Sequence, residues 1–168
     1  MRALGLRTVL PANWRSGLTE VAQGGVFVTT RVDGWVLAVG RDLKVLGHPD
    51  AIVPPLLERL SREFGCAAWF FSDTDADQHG WALATNGTLV RGYAYDGDDG
   101  HVFWSGEVTA VERDLDCFVD DPRDRSDDEV KWWPDERIVR AIAAAWSLDP
   151  WGLGERDLPP SVGWVGRL

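Results

Sequence analysis

Cysteine, histidine, tyrosine and methionine are all scarce here: two, three, two and one among 168 residues. Cys66 and Cys117 stand far apart and outside any Cys-x-x-Cys pattern, so neither a zinc ribbon nor a dithiol redox site is indicated. Both are expected to be reduced, buried small hydrophobes of a cytoplasmic chain. Basic charge is short as well. Lys and Arg number 17 against 27 Asp and Glu, for a net charge of −10. Nucleic-acid binding needs a cationic footprint, and anionic lipid surfaces attract Lys and Arg. Neither partner is expected; a basic protein is. No apolar run reaches the roughly 20 residues of a membrane helix, and the first ten residues lack the apolar core of a secretion signal.

Catalytic signatures are missing too. Gly-x-x-x-x-Gly-Lys, Gly-x-Gly-x-x-Gly, Gly-x-Ser-x-Gly and His-Glu-x-x-His do not occur. The reading leans away from an enzyme, and no cofactor or metal is expected. Asp73, Asp75 and Asp77 resemble the start of a calcium loop. Gln78 then stands where its glycine belongs, and Ala84 where its bidentate Glu belongs.

What the chain has is tryptophan, ten of them. So much aromatic surface either fills a core or is kept exposed for a partner. The expected fold is α+β: a single domain over 1–168, with one antiparallel sheet of about five or six strands and helices mainly on one face. Residues 4–10 suit an edge strand. Asn13 is an N-cap for a helix that Gly24-Gly25 ends. Val26 to Thr30 and Trp35 to Val39 flank Asp33-Gly34 as a hairpin, the second run apolar enough for a central strand. Val53, Leu56, Leu57, Leu60 and Phe64 mark a helix, which Pro54 and Pro55 restrict to a start near Val53. Cys66 to Phe71 is a buried strand. Thr109 and Glu112 form a capping box. Residues 119–131 read as a flexible acidic loop. Pro134 opens a last helix, and 150–168 is an irregular tail pinned by Trp151 and Trp164.

The organising stretch is His79 to Ser105. Asn86-Gly87 between strand-like runs signals a two-residue hairpin turn, and the acidic turn Asp96 to Gly100 adds a third strand. Regular pairing from Asn86-Gly87 sets Thr85 opposite Thr88, Leu83 opposite Val90, Trp81 opposite Gly92 and His79 opposite Ala94. Side chains alternate faces. One face then carries His79, Trp81, Leu83, Val90, Phe103 and His101. The other carries Leu89, Arg91, Tyr93, Tyr95, Val102 and Trp104, beside the small Gly80, Ala82 and Ala84.

Two candidate sites follow. Arg91, Tyr93, Tyr95 and Trp104 are the residue types that dominate protein interfaces. With the acidic Asp120, Asp121, Asp124, Asp127, Asp128 and Glu129 they form the expected partner-binding surface. The alternative is a pocket of His79, Trp81 and His101 for an enzyme or small-molecule binder. The two histidines are about 10–12 Å apart by strand spacing, too far to share a metal ion. His48 has no clear place.

Gly25-Val-Phe-Val, Gly34-Trp-Val-Leu-Ala-Val-Gly40, the Trp81 to Tyr95 hairpin and Ala144-Ala-Trp-Ser-Leu-Asp-Pro150 together resemble a family of uncharacterised bacterial proteins. In general type, a small acidic Trp-rich α+β chain is also similar to the immunity proteins of bacterial polymorphic-toxin systems. That likeness implies a non-enzymatic inhibitor occluding a toxin.

Overall fold

The structure, a computed structural model, describes residues 2–43, 49–118, 120–123, 132–150, 152–153 and 160–168. The strands are β1 (Arg7–Ala12), β2 (Val26–Val32), β3 (Trp35–Gly40), β4 (Cys66–Asp73), β5 (Gln78–Thr85), β6 (Thr88–Asp96), β7 (Gly100–Ser105) and β8 (Gly163–Arg167). The helices are α1 (Trp14–Ala22), α2 (Pro49–Phe64), α3 (Ala110–Asp114) and α4 (Glu136–Trp146). The fold is α+β, but in place of one sheet there are two, each of four antiparallel strands. They belong to two compact units, Met1–Leu46 with Gly152–Leu168, and Gly47–Trp151. Among the described residues no helix is long and apolar enough to cross a membrane.

The first unit has strand order β1-β8-β2-β3. Asn13 Oδ1 accepts from Ser16 N–H at 2.9 Å and starts α1. Ala12, Phe27 and Val165 form the core beneath this helix, with Trp14 and Val21 packed against them. Gly17 is what lets α1 come close. A Cβ there would stand 2.3 Å from the Phe27 ring. Two expectations fail. β3 is an edge strand with Val36 and Ala38 exposed, not a central one. The tail, expected to be irregular, supplies β8 between β1 and β2.

The second unit has order β4-β5-β6-β7. α2 begins at Pro49 rather than near Val53, so Pro54 and Pro55 lie inside it and withhold two backbone donors. Helices lie on both faces of this sheet. α4 brings Val139 and Ile142 to Trp81 and Tyr93. α2 runs against the opposite face, where Gly80, Ala82, Ala84, Gly92 and Ala94 keep the surface flat. Large rings fill the space above the glycines: a Cβ on Gly80 would meet Trp69 at 2.7 Å, and one on Gly92 would meet Phe103 at 2.4 Å.

Candidate functional site

Asn86 and Gly87 have φ of 51° and 87°, the paired positive values of the expected turn. Thr85 pairs with Thr88 and Ala84 with Leu89. Leu83 then pairs with Arg91, not Val90. Val90 is an extra residue, a β-bulge, and every later residue of β6 changes face relative to regular pairing. Trp81 pairs with Tyr93 and His79 with Tyr95. Asp96 pairs with Gly100, while Ala94 meets Phe103 as expected.

This bulge, with a second register shift between Ala94 and Tyr95 that turns His101 to the same face as Trp104, merges the two candidate sites. Arg91, Tyr93, Tyr95 and Trp104 share a face with His79, Trp81 and His101, and that face is covered. Trp81, Arg91 and Tyr93 are wholly buried and His79 nearly so, whereas Tyr95, His101 and Trp104 are half-buried. Phe118 and Trp132 join the cluster: the Tyr93–Phe118 and Trp104–Phe118 centroids are 4.8 Å apart, and Phe118–Trp132 is 4.9 Å. Arg91 and Tyr93 therefore cannot touch a partner in this conformation.

Arg91 is there to meet Glu112, also wholly buried. Arg91 Nε donates to Glu112 Oε1 at 2.8 Å, and Trp81 Nε1 donates to the same oxygen at 2.8 Å. Thr109 N and Oγ1 donate to Oε2 at 2.8 and 2.7 Å, completing the capping box of α3. Arg91 Nη1 donates to the carbonyls of Gly92 and Ser105, both at 3.1 Å. Its guanidinium carbon lies 3.9 Å over the Trp104 ring. Burial pulls the Arg91 pKa down, and the Glu112 charge pulls the other way. Burial also drives the Tyr93 phenol up, well beyond the usual tyrosine range. The Cys117 thiol beside them is pushed up to about 12, mainly by burial. Glu112 was legible from sequence only as a cap; its pairing with Arg91 depends on the bulge.

At the far end of the sheet the chemistry changes. The Tyr93 hydroxyl faces His101 Nδ1 at 2.8 Å. His79 contacts Ser72 Oγ through Nδ1 at 3.0 Å and Asp77 Oδ1 through Nε2 at 3.3 Å. The β4–β5 and β6–β7 turns meet here. Gln78 Nε2 donates to Asp96 Oδ2 at 2.6 Å, and a Cβ on Gly97 would lie 3.0 Å from Asp77 Cβ. Asp75, Asp77, Asp98 and Asp99 are exposed, with Asp73 and Asp96 half-buried beside them. Asp96 Oδ1 accepts from Asp98 N–H at 3.0 Å, a turn-stabilising role. Among the described residues no three His, Cys, Asp or Glu side chains gather as metal ligands.

Of the expected acidic loop, Asp120 is exposed and Asp121 is half-buried. Burial raises the Asp121 pKa, but its hydrogen bonds and ion pair with Arg123 outweigh that and hold it low. Asp124, Asp127, Asp128, Glu129, His48 and Trp151 lie outside the described residues. Neither a family model, nor a curated protein, nor a solved structure matches this chain.

Proposed function

We propose that this chain is a non-enzymatic protein-binding module of the bacterial cytoplasm that meets a basic partner. In its most specific form it is an immunity-type inhibitor occluding a toxin's active site. The observation carrying this reading is the convergence of the two aspartate turns, with Asp73, Asp75, Asp77, Asp96, Asp98 and Asp99 at one end of the β4-β5-β6-β7 sheet. Fixed charges of one sign steer an oppositely charged partner and set its orientation. The contact surface moves from the covered aromatic face to this acidic end. The test is binding to the basic protein encoded beside this chain, by titration calorimetry at two salt concentrations. A nanomolar complex, weakened at least about tenfold by Asp75→Lys with Asp98→Lys, supports the reading. No complex, or one indifferent to both substitutions and salt, removes it.

A second reading has its own support. A small enzyme needs a base held by a carboxylate, and His79, 3% exposed, sits between Asp77 and Ser72. Turnover of simple ester substrates is the test of that reading.

A further inference from the structure

We infer that Ser72 is an activated nucleophile, with His79 as its general base and Asp77 as the residue that positions that base. This rests on the second reading above. Ser72 on β4 is paired across the ladder with His79 on β5. His79 Nδ1 lies 3.0 Å from Ser72 Oγ, and Nε2 lies 3.3 Å from Asp77 Oδ1. With the ring hydrogen on Nε2, the nitrogen that faces Asp77, Nδ1 keeps its lone pair and the Ser72 hydroxyl donates to it. That is the proton arrangement of a serine–histidine–carboxylate relay with the two ring nitrogens exchanged. His79 is shielded, so water competes poorly for Nδ1. Ser72 is only partly buried, and it lies on the edge strand β4.

With an ester, Oγ bonds to the acyl carbon while its proton passes to Nδ1. The bond from that carbon to the leaving alcohol breaks, and Nδ1 returns the proton to the departing oxygen. Water, deprotonated by the same nitrogen, then releases the acid and restores Ser72. With a fluorophosphonate, Oγ bonds to phosphorus, fluoride leaves, and the adduct remains.

The experiment treats the full chain with a fluorophosphonate and maps adducts by peptide mass spectrometry. The expected result is an adduct at Ser72, absent in Ser72→Ala and formed about 100-fold more slowly in His79→Gln. Asp77→Asn changes the pH profile of the labelling rate, and Glu63→Gln, at an exposed position of α2, leaves it unchanged. Should His79→Gln fail to fold, the wild-type chain in unfolding urea replaces it, and labelling there must drop likewise. No adduct at Ser72, or a rate indifferent to unfolding, overturns the inference. Ester turnover surviving Ser72→Ala also overturns it, while leaving the enzyme reading in place. An adduct without turnover supports the activated serine and removes the enzyme reading.

Discussion

Arg91 and Glu112 form an ion pair in which neither side chain has any exposure, with Nε 2.8 Å from Oε1. Removing one partner leaves the other charge buried and uncompensated, which costs about 3–5 kcal/mol. Glu112→Ala also strips the acceptor from Trp81 and Thr109. We expect it to lower unfolding free energy by at least that amount, and Arg91→Met with Glu112→Leu to lower it less than either single change. Urea titrations followed by tryptophan fluorescence measure both. A loss under about 1 kcal/mol for Glu112→Ala contradicts the structural role given to the pair.

Gly17→Ala tests the approach of α1 to β2. In an exposed helix interior the change stabilises by about 1 kcal/mol. Here the new methyl would stand 2.3 Å from the Phe27 ring, so the sign reverses. The expected loss is about 1–3 kcal/mol, the usual range for overpacking a core, measured by thermal or urea unfolding. A stabilised variant would mean that α1 sits farther from β2 than described.

Alkaline sensitivity follows from the core thiol. The Cys117 pKa is raised in the folded chain, to about 12, chiefly by burial. Its contribution is intact below the ordinary thiol value of about 8.5 and is lost as pH rises from there through the folded value. Stability should fall by up to about 1.4 kcal/mol per pH unit from this group alone. Cys117→Ala starts lower, for lost packing, but shows a shallower slope between pH 8 and 10. Tyr93, shifted the same way, maintains part of the slope at higher pH.

Acid sensitivity has the opposite sign. Asp135 caps α4 by accepting from Ile138 N–H at 3.0 Å and pairs with Arg137 at 2.8 Å. Burial raises its pKa, but these contacts outweigh it and the net shift is down. Its stabilisation is present above the ordinary aspartate value of about 3.9 and disappears as pH falls through the lower folded value. Asp135→Asn, itself a competent cap, should therefore lie below wild type at pH 7 and converge with it near pH 3. Parallel unfolding curves at both pH values would show that the charge contributes nothing.

The elements with local signatures were legible in the sequence. The Asn13 cap, the Thr109–Glu112 capping box and the Asn86-Gly87 turn are decided within a few residues, and each occurs as read. What escaped depends on contacts distant in sequence. Val90 carries no mark of a bulge, yet it alone decides whether Arg91 and Tyr93 lie with Gly80 and Ala82 or with Trp81. The apolar Trp35 to Val39 run looks central, and only the arrival of β8 on the other side of β2 makes it an edge. The contact of His79 with Asp77 joins residues two apart in the chain and needs no long-range register. Ser72 required the β4–β5 register.

β8 has a consequence for synthesis. Residues 163–167 sit between β1 and β2, whose own residues leave the ribosome more than 120 positions earlier. The second unit is contiguous and has all its strands long before that. The first unit must wait with β1 and the outer side of β2 unpaired, an exposed template for other chains. Folding of the first unit is thereby tied to residues 163–167: losing these five leaves β1 without its neighbour while the strands of the second unit are all present.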